Sequence, residues 1–195
     1  NIVIALDKLG IHIIEAGNPA SNESEREFFR RLKDIPLNSS IAAFGSTRHK
    51  NTPVSADEGL IKLLSAETQY VSIFGKANAE DVRSVLGTTL EENLRMIYES
   101  VQLLVSQGRR VIFNAEHFFD GYIEDSEYAL AAITAAHEGG AQTICLCDTN
   151  GGRLPSEIYD IANRLKETGF NLGIHAHDDI GCGVANTLSA VQASF

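Results

Sequence analysis

Two histidines separated by one residue, His175 and His177, are the sharpest chemical feature of the chain. On a strand, residues two apart point the same way, about 6.6–7 Å apart along it. Two imidazoles so placed can converge on one metal ion. The plainer alternative is one functional and one packing histidine, or two polar rim residues. Asp178 and Asp179 follow at once. Each suits an acceptor that orients an imidazole N–H, and equally a capping turn before Gly181. About thirty residues earlier lies Asp148-Thr149-Asn150-Gly151-Gly152. Asp148 has the parity opposite to Cys145 and Cys147, so it is expected to face a barrel axis, near the metal, while the thiols face helices. Thr149 offers a hydroxyl to a substrate carboxylate. Ordinary turn chemistry also favours Asp, Asn and Gly there.

Glu116 is an acid-base candidate, because burial near a metal tunes a carboxylate. His117, its neighbour, naturally faces the other side and reads as a loop or substrate-binding residue. Glu15 closes an apolar run, where an acidic group is costly unless paired or used. Arg48 suits bidentate binding of a carboxylate or phosphate, and Lys76 is a similar candidate. His12 and His137 read as structural, and His49, in a polar loop, is assigned nothing.

These residues need elements to position them, and the chain supplies a rhythm. Apolar runs at 11–16, 40–44, 70–74, 110–115, 142–147 and 171–176 recur about every thirty residues. They are short and nearly continuous, as expected of parallel strands buried on both faces. Helical stretches lie between them at 23–33, 56–64, 89–107, 127–137 and 155–168. The clearest, 89–107, has capping-box spacing from Thr88 and Thr89 to Glu91 and Glu92, with Gly108 beyond its end.

Alternation of this kind means a parallel sheet, open or closed. An open sheet usually carries a phosphate-binding glycine loop after its first strand, and no G-x-G-x-x-G or Walker-type lysine motif occurs. A closed barrel predicts functional groups at the C-terminal ends of its strands instead. Glu15, Arg48, Lys76, Glu116, Asp148 and His175 fit that rule. The expected fold is an α/β (β/α)8 TIM barrel, present as a fragment of about six strands with the first and last missing. Residues 1–195 are read as one catalytic barrel domain, incomplete at both ends.

Composition is that of an ordinary globular chain, at 44% hydrophobic and 22% charged residues. The net charge of −10 argues against nucleic acid, which needs basic patches, and no apolar run suits a membrane span. Three cysteines, an odd number in a chain too large to need disulfide staples, point to a reducing cytoplasm. A homodimer is expected.

The motifs Ile14-Glu15-Ala16-Gly17, Leu146-Cys147-Asp148-Thr149-Asn150-Gly151-Gly152 and Gly173-Ile174-His175-Ala176-His177-Asp178-Asp179 resemble the metal-dependent acyl-CoA condensing and cleaving barrels. That superfamily includes 2-isopropylmalate, homocitrate and citramalate synthases and hydroxymethylglutaryl-CoA lyase. Phe44-Gly45-Ser46-Thr47-Arg48 and Ala115-Glu116-His117-Phe118-Phe119-Asp120-Gly121-Tyr122 resemble the citramalate synthase branch in particular. The resemblance implies His175 and His177 as ligands of a divalent metal (Mg²⁺, Mn²⁺ or Zn²⁺). It implies Asp148 and Thr149 as a substrate-side pair, and Glu15 and Glu116 as active-site carboxylates. The implied reaction condenses acetyl-CoA with pyruvate, or a similar short 2-oxo acid, to give citramalate and CoA. The alternatives are 2-isopropylmalate synthesis, lyase-type carbon–carbon cleavage, and an inactive metal-binding barrel fragment. The resemblance departs in the loop Ala77-Asn78-Ala79-Glu80-Asp81, where this branch usually has Trp and His.

Overall fold

Residues 1–193 are described in a computed structural model of the chain. Six strands form one sheet: β1 Ile13–Glu15, β2 Ser40–Ser46, β3 Tyr70–Lys76, β4 Arg110–Glu116, β5 Thr143–Asp148 and β6 Leu172–Ala176. They lie in chain order, every neighbouring pair is parallel, and the sheet curls as part of a barrel. There is no reversal of strand order, so the open doubly wound alternative is excluded. Four strands run past the expected limits, to Ser46, Lys76, Glu116 and Asp148, which places chemistry-bearing groups on the ladder itself. β1 is shorter than the apolar run that predicts it.

The helices are α1 Ile2–Leu9, α2 Glu23–Leu32, α3 Glu58–Ser65, α4 Ala79–Asp81, α5 Leu90–Ser106, α6 Phe118–Glu124, α7 Ser126–Glu138, α8 Pro155–Leu165 and α9 Gly183–Gln192. A π-helical turn, Val82–Leu86, continues α4, and single 3₁₀ turns precede α3 and follow α8. α4 and α6 are additions to the sequence reading; both are too short to show a helical period. α5 forms as expected. The Thr89 hydroxyl accepts from the Glu92 N–H at 3.1 Å, and Asn93, Met96, Ile97, Ser100, Val101 and Leu104 bury one face.

Side chains alternate between the two faces of each strand. One set, including Ile14, Ala43, Ile73, Phe113, Leu146 and Ile174, joins the core under the helices. The other set faces the concave side of the sheet. Register partners share a face, so this side is traced by Glu15 with Ala42, Phe44 with Ser72, Lys76 with Glu116, and Cys147 with His175. None of the described helices is long and apolar enough to cross a membrane. All three cysteines are free thiols.

Candidate active site at the strand ends

The concave face at the C-terminal ends of β3 to β6 carries the candidate site. His175 and His177 point the same way, as the i, i+2 spacing requires. Their ring centroids are 4.9 Å apart at an interplanar angle of 70°. Both are exposed to solvent. Two neutral imidazoles on one face suit two positions in the shell of a divalent transition ion. Among the described residues no group of three His, Cys, Asp or Glu is placed to hold a metal. The pair therefore fits part of a ligand set and would need further donors.

Glu116 ends β4 on this same face. Its Oε2 is 2.8 Å from the Nζ of Lys76, the last residue of β3. The pair is a direct cross-strand neighbour pair. Glu15 also lies on this face, at the end of the edge strand, and is exposed. Cys147 stands between β4 and the histidine strand and is buried. Cys145 beside it, then burial, then the negative charges of Glu116 and Glu15, push its thiol pKa up, so the group stays a neutral thiol. One layer deeper, Asn114 donates to the Ser72 hydroxyl at 2.7 Å, and the Phe44 and Phe74 rings stack at 5.5 Å. A cavity of about 320 Å³ opens at the ends of β2 and β3, walled by Phe74, Val85, Leu86 and Met96 and reached by Lys76.

Three expectations need correction. Asp148 does not face the concave side. It is fully buried among helices, where its carboxylate accepts from Gly152 N, Arg153 N and Asn186 Nδ2, each at 3.3 Å. Cys145 and Cys147 take the concave side that was assigned to it. Parity does separate Asp148 from the two cysteines, but Ile144 and Leu146 share Asp148's parity and belong to the core, so Asp148 lies on the helix side. A carboxylate that can close a turn and hold the next helix gains more from three N–H donors than from an open rim.

Arg48 is the second correction. It is buried, and its guanidinium is committed to Glu92 and Glu99 of α5, both at 2.7 Å. Burial works against its charge, but the hydrogen bonds to the two carboxylates outweigh it and raise its pKa. It fastens the loop after β2 to α5, and it also borders the cavity at the ends of β2 and β3. His117 is the third. Its backbone is left-handed (φ 55°, ψ 29°), and its ring sits between Asp81 (3.6 Å) and Asp120 (4.0 Å) rather than open to a ligand. Its N–H donates to the Thr149 hydroxyl oxygen at 2.8 Å. That bond uses an acceptor position of Thr149 and leaves its proton free to donate to a carboxylate. His12 and His137 are exposed, the latter stacked on Phe170 at 4.3 Å. His49 shares the buried Asp57 carboxylate through both N and Nδ1.

A pairing missed in the sequence is Lys76 with Glu116. Its signal was present: both residues end consecutive strand runs and have the same parity.

Parallel β/α units with functional groups gathered at the strand C-termini define a barrel-type architecture with a rim site. The chain belongs to the HMGL-like family, whose sequence profile matches residues 1–195. It is 51% identical over 191 residues to an (R)-citramalate synthase of Aquifex aeolicus, covering 96% of this chain and 36% of that protein. Against a 2-isopropylmalate synthase of Methanocaldococcus jannaschii the identity is 29%, over 99% of this chain and 35% of that protein. The chain thus spans about a third of the length of the curated relatives it matches. Among solved structures, an HMG-CoA lyase of Bacillus subtilis superposes with a TM-score of 0.77 at 18% identity, covering 98% of this chain and 66% of that one. At that identity the likeness concerns the fold.

Proposed function

We propose that the chain is part of the catalytic barrel of an enzyme condensing acetyl-CoA with pyruvate to citramalate and CoA. The observation that carries this reading is the placement of His175, His177 and Glu116 on one face, at the C-terminal ends of β6 and β4 on either side of β5. It occurs in a chain 51% identical to an (R)-citramalate synthase. The much lower identity to a 2-isopropylmalate synthase makes pyruvate the favoured 2-oxo acid.

His175 and His177 would hold the divalent ion. When bound, such an ion supplies Lewis-acid polarisation of the ketone. Thr149 donates its hydroxyl proton to the 2-oxo acid's carboxylate. Glu116 accepts a methyl proton from acetyl-CoA, so that the enolate carbon attacks the ketone; thioester hydrolysis then releases CoA. Glu15, on the same face and exposed, adds negative potential to the concave side, which favours cation binding. Mg²⁺, Mn²⁺ and Zn²⁺ all suit a mixed imidazole and oxygen shell. The reading places these residues in one catalytic barrel domain, in a cytoplasmic homodimer.

The test uses the full-length protein. CoA release from acetyl-CoA is measured with a panel of 2-oxo acids, before and after chelation. Pyruvate should give the highest kcat/KM, and chelation should abolish turnover until a divalent ion is restored. Preference for a branched 2-oxo acid, or turnover that survives chelation, would overturn the reading.

A further inference from the structure

Glu116 carries an energetic problem that the reaction alone does not explain. Its Oε2 is buried and accepts no hydrogen bond. A carboxylate oxygen so placed is costly unless an opposite charge offsets it. The only compensation among the described residues is the Lys76 ammonium at 2.8 Å. The pair is itself largely sheltered, with side-chain exposures of 15% and 27%.

Lys76 is not a loosely tethered surface cation. Its main chain is fixed on both sides. The β3–β4 ladder pairs it with Glu116, and the next residue, Ala77, donates its N–H to the Glu116 carbonyl at 3.0 Å. Its own carbonyl accepts from Asn93 Nδ2 at 2.8 Å. Asn93 is fully buried on α5, and the same amide donates to the Tyr128 hydroxyl at 2.7 Å. Burial pushes the Tyr128 pKa up to about 12, so that hydroxyl stays uncharged and the bracket behind Lys76 is neutral. The other basic groups of this rim are already engaged: Arg48 with Glu92 and Glu99, Lys50 with the Leu86 and Gly87 carbonyls.

We propose that Lys76 is the positioning residue of the Glu116 carboxylate. It clamps Oε2 and leaves Oε1 as the oxygen presented to substrate. The role rests on the proposed condensation, in which Glu116 takes the methyl proton, and it gives that group one orientation rather than two. A carboxylate free to rotate would spend part of its time with neither oxygen aligned. Positioned proton transfer contributes roughly 10²–10⁴-fold to a rate, and a misaligned base forfeits part of that.

The experiment uses the full-length protein with Lys76→Met, Lys76→Arg, Glu116→Gln and the Lys76→Met/Glu116→Gln double variant. Lys76→Met should lower kcat by roughly 10–100-fold, a share of the contribution expected from an aligned base. KM for pyruvate should stay within about threefold, since a loss confined to kcat marks an interaction absent from ground-state binding. Lys76→Arg should recover most of the loss. The double variant should be no slower than Glu116→Gln, because a residue acting through another adds nothing once that partner is gone. Losses that multiply, or a Lys76→Met defect confined to KM, would overturn the proposal.

A readout without substrate separates this from the reaction class. In protein carrying [5-¹³C]glutamate, the Glu116 carboxyl resonance, assigned by its disappearance in Glu116→Gln, should shift and broaden in Lys76→Met and stay put in Lys76→Arg. An unchanged resonance in Lys76→Met refutes the clamp whatever the enzyme's substrate. Absence of CoA release by the wild-type protein, with the resonance shifted, would refute the reaction and keep the clamp. Should Lys76→Met fail to fold, Lys76→Gln replaces it, with the same expected and refuting outcomes.

Discussion

His175 and His177 make the first claim at the residue scale, because their chemistry depends on sharing a face. Replacing either with Ala should weaken divalent-ion binding by at least the roughly 10–100-fold that loss of a ligand's orienting partner costs. Calorimetric titration of Mn²⁺ or Zn²⁺ into the full-length variants checks this. Unchanged affinity in both would remove the histidines from the metal site. Asp148 supports the opposite kind of prediction. Its three N–H donors join the β5 turn to α9 through Asn186, and it does not look onto the concave face. Asp148→Ala should therefore destabilise the fold by about 2–3 kcal/mol, by leaving buried donors unpaired. The fraction that stays folded should keep kcat within a few-fold. A rate loss beyond tenfold with an unchanged melting temperature would return Asp148 to the chemistry.

At the scale of elements, the loop between β2 and α3 shows how the rim is built. Asp57 caps α3 by accepting from Leu60 N at 3.0 Å, and takes the His49 N–H at 2.9 Å. Burial works against its charge, but the hydrogen bonds from His49 prevail, and its pKa lies below the ordinary 3.8. Glu92 is likewise held below its ordinary 4.5, chiefly by the Arg48 guanidinium. A carboxyl whose folded pKa is depressed contributes stability that is present above its unfolded value and lost as pH falls through the folded one. The urea midpoint should therefore fall as pH drops from about 5 to 3, and fall less steeply in Asp57→Asn. An equal slope in the variant would show that Asp57 is not a source of the acid sensitivity. A second element-level contact is steric. A Cβ on Gly121 in α6 would lie 2.5 Å from the Ala77 carbonyl oxygen, a backbone atom that cannot swing aside. Gly121→Ala should cost about 1–3 kcal/mol through overpacking, read as a lowered melting temperature, and no change would mean that α6 can slide.

These elements also mark how far the sequence could be read. Six parallel strands were legible because both faces of such strands are apolar and the helices between them carry caps, as Thr89 does for α5. The histidine pair was legible because its spacing alone fixes a shared face. The orientation of β5 was not. Cysteine packs like a small hydrophobe, so Cys145 and Cys147 read as core residues, yet Ile144 and Leu146 hold the core and the thiols line the concave side. Arg48 looked available because its partners, Glu92 and Glu99, lie more than forty residues away, and no local pattern reveals an ion pair closed by tertiary packing. The left-handed turn at His117 carried no signal either, since no glycine stands there.

At the scale of the whole molecule, the sheet has two ends. Among the described residues β1 pairs only with β2, and β6 only with β5. Each outer strand therefore presents unpaired N–H and C=O groups, a template for another strand. The flanking helices add apolar surface. Val184, Leu188 and Val191 are exposed and recur at helical spacing along α9, Ile180 is exposed in the turn before it, and Ile2 and Leu9 are exposed on α1. An isolated exposed leucine would mean little, but a stripe of three on the helix that follows the outer strand β6 is apolar surface that water does not favour. Residues 1–195 prepared on their own should therefore self-associate, with light scattering showing a mass that rises with concentration. Lys introduced at Val184 and Leu188 together should reduce that association, because the new charges interrupt the stripe without touching the sheet. The same isolated segment should bind Mn²⁺ more weakly than the full-length protein, since His175 and His177 supply only part of a metal shell among the described residues. A segment that stays monomeric at high concentration and binds the ion as tightly as the full-length protein would mean that neither the sheet edges nor the metal shell needs anything beyond these residues.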